Sequence, residues 1–181
     1  MGVVTVAGID PSLRNTGIAI CCVDTEENRI VMIDRLILCR TKTGPKNQRK
    51  SSADYEAALV IQSQLKKAIE ESKARVVFAE IPSGSQSSRG TMSAGISIGI
   101  MASLNPKPIE VTPQQVKLQS CGILTATKGE MIEWAAKKYP NAEWHMKVGK
   151  FLNTNEHLAD AIAVIHAGLV TPQWEVIRSL L

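Results

Sequence analysis

Aromatic residues are scarce in this 181-residue chain: three Trp, two Tyr and two Phe. That is too few for a protein that grips single strands mainly by stacking bases on aromatic platforms. Cysteine is also sparse. Cys21, Cys22, Cys39 and Cys121 form no C-x-x-C pair, and adjacent Cys21 and Cys22 would point to opposite faces of a strand. A zinc site or disulfide framework is therefore not expected, and reduced thiols in a cytoplasmic protein are. No apolar run reaches the roughly 20 residues that span a bilayer. No basic stretch precedes the first apolar segment, so no signal peptide is expected. Met1-Gly2 has Val6 where a myristoylation signal needs Ser or Thr. The expectation is a cytoplasmic protein without membrane association.

Acidic residues are missing from one stretch in particular. Between Arg35 and Ala53 lie six basic residues (Arg35, Arg40, Lys42, Lys46, Arg49 and Lys50) and no Asp or Glu. The net charge of the chain is +4, so this stretch holds more than the whole surplus; the remainder carries 15 basic against 17 acidic residues. A localised basic segment on a slightly acidic body points to a polyanion met at one place rather than by the whole surface. With 44% hydrophobic residues, the length suits a single domain over residues 1–181, with a core that needs no metal or disulfide staple.

Hydrophobic patterning predicts strands over 3–9, 17–23 and 30–39, joined by short turns as an antiparallel meander. Residues 41–52 read as a mobile basic loop. Residues 53–73 are expected to be helical, with Ala57, Val60, Ile61, Leu65, Ala68 and Ile69 on one face. A fourth strand is predicted over 75–80, a Ser/Gly-rich loop over 82–90, a helix over 91–104 with Gly95 and Gly99 four apart, and a short strand over 109–111. Thr112-Pro113 reads as a cap with proline at the first helical position, and Thr127 to Glu130 as a capping box opening a helix to about Tyr139. Residues 140–153 read as a loop, 154–168 as a strongly apolar helix, and Pro172 as the start of a last short helix. Strands followed by alternating helices and strands imply an α/β fold with a mixed five-stranded sheet, not a doubly wound one.

Three acids stand out by context. Asp10 ends an apolar strand and opens a Pro-containing turn; Glu80 ends another and precedes Pro82; Asp160 lies inside the apolar helix segment LADAIAVI. Singly, these are ordinary turn, strand-end and ion-paired residues. Together, acids at the ends of neighbouring strands and on a helix packed over them converge on one point, and such a cluster stays ionised only with cations. Two Mg²⁺ ions about 4 Å apart are the usual solution in phosphodiester cleavage. His157 lies three residues before Asp160 on the same helix face, and Glu156 borders it. His157 is a candidate for metal ligation or proton transfer; His145 and His166 read as structural.

Four segments together resemble the RuvC-type Holliday junction resolvases of the RNase H-like (retroviral integrase) superfamily: Gly8 to Gly17 (GIDPSLRNTG), Val76 to Glu80 (VVFAE), Pro113 to Lys117 (PQQVK) with Gly122 and Ala126 to Lys128, and His157 to Ala163 (HLADAIA). The resemblance spans residues 3 to about 168. It implies an RNase H-like fold, a homodimer that pairs two nicks, and Mg²⁺-dependent hydrolysis of four-way and related branched DNA to 5′-phosphate ends, with two ions per site and Mn²⁺ as an alternative. It implies Asp10, Glu80, His157 and Asp160 as the metal-binding and catalytic set and Lys117 and Lys128 as phosphate contacts. The helix with Gly95 and Gly99 falls where the family places its dimer helix. Arg14 in the first turn and Arg89 in the second loop are candidate strand contacts, and Arg40, Lys42, Lys46, Arg49 and Lys50 a candidate grip on a DNA arm. After Glu80 the family often has an aromatic residue; here the sequence is Ile81-Pro82-Ser83-Gly84. That departure and the long basic loop point to a divergent, phage-encoded branch. Alternatives are an RNase H-like nuclease for RNA–DNA hybrid or less selective branched DNA, and a catalytically silent nucleic-acid-binding module. An actin-like sugar kinase needs a duplicated domain that the length does not hold.

Overall fold

The computed structural model describes residues 2–42, 44, 45, 47–84 and 86–181. Three antiparallel strands, β1 (Val3–Asp10), β2 (Asn15–Asp24) and β3 (Arg29–Arg40), open the chain. Helix α1 (Lys50–Ser72) then leads to β4 (Val76–Glu80), which returns parallel to β1, with Val6 opposite Val76 and Ile9 opposite Ala79. Helix α2 (Ser88–Ala102) leads to β5 (Ile109–Val111), parallel to β4. The five strands are ordered β3-β2-β1-β4-β5 in one mixed sheet. Helices α3 (Pro113–Ser120) and α4 (Lys128–Lys138) follow, then a two-stranded hairpin of β6 (Met146–Lys147) and β7 (Lys150–Phe151), and finally α5 (Asn155–Gly168) and α6 (Pro172–Arg178). The expected fold class is the observed one.

Alternation along the strands sorts the core into two layers. Ala7, Ile9, Ile18, Ile20, Val77 and Ala79 face α1 and α2, packing on Ile61, Leu65, Ile69, Ile100 and Met101. Val4, Val6, Ala19, Cys21 and Phe78 face the other way, toward α5 and the helices around it. Helix α5 is the centre of that second layer, with ten of its fourteen residues buried. Such a helix is apolar on nearly every side because it is covered on nearly every side. Among the described residues, no helix is long and apolar enough to cross a membrane.

Several boundaries differ from the sequence expectation, each for a local reason. Strand β3 runs on to Arg40, which pairs with Asn15 of β2, so Arg40 belongs to a strand and not to the basic loop. Helix α1 starts at Lys50, its first turn closed by Ala53 N–H donating to Arg49 O at 3.0 Å, so it takes in residues 50–52 of the expected loop; Val60 is exposed rather than core. Lys46 lies outside the described residues. Helix α2 begins at Ser88, three residues early, because Ser87 accepts from Gly90 N–H as an N-cap. Arg89 is therefore in a helix turn, not a loop. The expected capping boxes form, at Thr112 with Gln115 and at Thr127 with Glu130. The stretch expected as a plain loop at 140–153 contains the β6–β7 hairpin.

Candidate active site

The period of two that sorts the core also aims the acids. Val4, Val6 and Gly8 lie on the α5 face of β1, so Asp10 does too; Val76 and Phe78 lie on that face of β4, so Glu80 does as well. Both carboxylates sit at the C-terminal ends of adjacent parallel strands. Helix α5 brings His157 and Asp160 to the same end. It can do so because glycine stands at two points where the helix backbone meets β1 and β2. A Cβ on Gly8 would overlap the Ala161 carbonyl, and one on Gly17, which pairs with Asp10 across β1 and β2, would overlap the His157 carbonyl. The turn between Asp10 and Gly17 is fixed by Thr16, whose hydroxyl donates to Ser12 O at 2.5 Å and accepts from Ser12 N–H at 3.2 Å. Thr41 ties the same turn to the end of β3 through Leu13 O and Arg14 O.

The electrostatics follow from this crowding. Burial, the Asp10 charge and, acting against them, Lys117 leave Glu80 pushed up to about 7. Asp160 is pushed up to about 8 by burial and by the charges of Asp10 and Glu80. His157 Nδ1 lies 2.8 Å from Asp10 Oδ2, and its Nε2 lies 3.4 Å from Glu156 Oε1. The hydrogen bond to Asp10, opposed by burial, raises the imidazole above its ordinary value. The imidazole thus stands among the acids, where a positive charge on it is favoured. Lys128 donates to Glu156 at 2.9 Å and also feels Asp160 and Asp10, which raise it. Asp10, Glu80, His157 and Asp160 therefore influence one another directly, with Lys117 and Lys128 at their rim.

Arg14 and Arg89 are placed differently. Both guanidinium groups are paired to Asp54 of α1, Arg14 Nη2 at 3.1 Å and Arg89 through two short contacts. Asp54 is 2% exposed. It joins the first turn, α1 and the start of α2 in one cross-link, and it has no counterpart among the residues singled out from the sequence. The signal was there: Asp54 extends the stripe of Ala57, Ile61, Leu65 and Ala68 one step back, an acid on an apolar face. Asn155 was missed as well. Fully buried, it accepts from His145 N–H at 2.9 Å and donates to His145 O at 2.8 Å. Of the basic segment, Arg40, Lys42, Arg49 and Lys50 are exposed. His166 is structural as expected: it shares a 2.7 Å hydrogen bond with the Tyr139 hydroxyl, and burial lowers it to about 4.

Gly95 and Gly99 do not serve close packing inside the domain, one of the two roles open to them. A Cβ at either would meet nothing within 4 Å. They lie on the outer face of α2 beside exposed Met92 and Ile98.

No family model matches the chain, and no curated protein matches its sequence. Solved structures do. Thermus thermophilus RuvC in complex with a Holliday junction substrate superposes with a TM-score of 0.66 at 20% identity, covering 91% of this chain and 92% of that one. The fold is that of RuvC. Thermus thermophilus RuvC alone gives 0.60 at 18% identity over 90% and 91% of the two chains. The yeast mitochondrial Holliday junction resolvase Ydc2 gives 0.56 at 14% identity over 97% and 82%. The RuvC fold thus extends over nearly the whole chain, including the elements that carry all four motifs.

Proposed function

We propose that this chain is a metal-dependent, structure-selective DNA endonuclease that resolves four-way junctions by paired phosphodiester hydrolysis, leaving 5′-phosphate ends. The observation that carries the reading is the convergence of Asp10, Glu80 and Asp160 at one end of α5 on a RuvC fold, with two of the three held well above the usual carboxylate range. Three mutually repelling, partly buried acids destabilise a protein that never binds a cation. As hard oxygen donors they suit divalent ions such as Mg²⁺ or Mn²⁺. Among the described residues no three His, Cys, Asp or Glu side chains close round a single point. Asp10 is turned onto His157, and holding an ion there requires His157 to release Oδ2 or to ligate beside it.

Asp10, Glu80 and Asp160 would hold two such ions, which when bound supply an activated water and stabilise the departing 3′ oxygen. The remaining work belongs to the chain itself. Lys117 and Lys128 would seat the scissile phosphate, Lys128 exchanging Glu156 for a phosphate oxygen. His157 orients Asp10 and holds a proton beside the reacting centre. Arg14 and Arg89, fixed by Asp54, would contact the strand as it enters. The outer face of α2, with Gly95, Gly99, Met92 and Ile98, would join two copies and so set two active sites on opposed strands.

The test uses purified protein and Asp10→Asn with four-way junction, flap, linear duplex and RNA–DNA hybrid, with and without Mg²⁺ or Mn²⁺. Symmetric paired nicks in the junction by the wild type alone are expected, with junction binding retained by the variant. Cleavage confined to the hybrid would replace this reading with an RNase H activity, and binding without any cleavage would leave a silent DNA-binding module.

A further inference from the structure

The β6–β7 hairpin has a composition that its own fold does not explain. Its two-residue turn has both central residues left-handed, Val148 at φ 49° and Gly149 at φ 72°. Asn-Gly is the sequence such a turn favours. A β-branched residue is among the least suited to positive φ, and Val148 gains nothing by packing, being 93% exposed. Lys147 and Lys150 stand directly opposite each other in the ladder, an arrangement of like charges that weakens a hairpin. Residues 144–155 contain no Asp or Glu. Met146 and Phe151, the next pair, are both about half exposed. An apolar tip and a lysine pair with no acidic partner among the described residues are thus kept at a cost to the hairpin.

The base, by contrast, is rigid. Asn155, the first residue of α5, clamps both backbone groups of His145; Leu152 N–H donates to His145 O at 3.0 Å; and the Trp144 ring packs edge-on against Phe151 at 6.3 Å. The helix that starts at this clamp carries His157 and Asp160 two and five residues later. The tip is therefore held in a fixed relation to the acids.

We infer that this hairpin is a DNA-reading element, in which Val148 inserts against an unstacked base step at the branch point while Lys147 and Lys150 share a backbone phosphate. The inference rests on the junction-nuclease reading above and goes beyond it. A phosphate between the two lysines removes their repulsion. Apolar side chains wedged between base steps are an established way for proteins to open a duplex, and unstacking is cheapest where pairing is already interrupted.

Val148→Asn separates this role from a structural one, because Asn-Gly restores the sequence the turn prefers. The measurements are melting temperature, junction nicking with Mg²⁺, and, in the Asp10→Asn background, the fluorescence of 2-aminopurine placed at the branch point. The variant is expected to melt no lower than the wild type. It should nick junctions at least tenfold more slowly and lose most of the 2-aminopurine rise seen on binding. Lys147→Ala with Lys150→Ala should weaken junction binding and flatten the slope of log K against log salt by about 1, the contribution of the one phosphate they share. Wild-type rates and fluorescence in Val148→Asn overturn the inference and leave the nuclease reading standing. A change in oligomeric state with unaltered DNA handling also overturns it, by making the tip a protein contact. Failure of the wild type to nick any junction overturns the nuclease reading, and this inference with it.

Discussion

Asp160→Asn should make the protein more stable in chelator while abolishing its activity. In the metal-free site Asp160 is pushed up to about 8 by burial and by Asp10 and Glu80, from an ordinary value of 3.8. A carboxyl whose folded value lies above its unfolded one favours folding while protonated, and that advantage is lost as pH rises from the unfolded to the folded value. The loss for Asp160 therefore accrues between about pH 4 and 8, and for Glu80 between 4.5 and about 7. Each pH unit across such a window corresponds to about 1.4 kcal/mol per group. Relaxation and water entry reduce the sum, so the working figure for Asp160 at pH 9 is on the order of 3 kcal/mol. For a chain of this length that is about 6–12 °C in melting temperature.

The assay is thermal unfolding by circular dichroism at pH 5 and pH 9, in EDTA and then with Mn²⁺ or Mg²⁺. The wild type in EDTA should melt lower at pH 9 than at pH 5. Asp160→Asn should lie well above it at pH 9 and near it at pH 5. Divalent ion should raise the wild-type melting temperature at pH 9 by mass action, about 2.7 kcal/mol at a hundred times the dissociation constant, and should do little at pH 5 or in the variant. An Asp160→Asn protein that melts at or below the wild type at pH 9 in EDTA would refute the crowding argument. An equal rise with cation in both proteins would place the ion elsewhere.

Gly17→Ala should cost at least 1–3 kcal/mol, the range for overpacking, and should cut nuclease activity more than its stability loss explains, because the added methyl displaces the His157 backbone; denaturant titration and junction nicking at 20 °C check both. Gly95→Ala and Gly99→Ala should each stabilise an isolated protomer by up to about 1 kcal/mol, since the methyl meets nothing and helix propensity improves, yet shift the protein toward monomer in sedimentation if that face joins two copies. Replacing Arg40, Lys42, Lys46, Arg49 and Lys50 by Gln should lower junction affinity and reduce the salt slope by up to about 4, with little change in cleavage rate at saturation; an unaltered slope would make this segment a solvated tether.

Much of the site was legible because its signals are local. Asp10 and Glu80 each end an apolar strand, so the alternation that buries Val6 and Phe78 also says which way the acids face. Asp160 is an acid in a helix too apolar to tolerate one without a purpose. Helix caps at Thr112 and Thr127 were readable from four residues. What was not legible depends on tertiary contact. Nothing near Asp54 in the chain names Arg14 or Arg89, 40 and 35 residues away, so the buried acid that pairs with both candidate strand contacts could not be read from the sequence. The hairpin was hidden because its strands are two residues long and its turn lacks the Asn-Gly that marks such turns.

The glycines show most clearly where a sequence reading goes astray. A spacing of four within one helix, Gly95 and Gly99, resembles a packing motif, yet both face open space. The close approach occurs instead at Gly8 and Gly17, which lie in two strands and show no spacing at all. Their logic becomes visible only through Asp10. Gly8 lies two residues before it on the same face, and Gly17 pairs with it across the ladder, so the two glycines flank the acid on the side from which α5 descends. Any side chain there would lift the first turns of α5, and with them His157 and Asp160, away from Asp10. The glycines and the acids of the first motif are thus one device. The glycines admit the helix, the helix delivers the third acid, and the resulting repulsion is what a divalent cation would relieve.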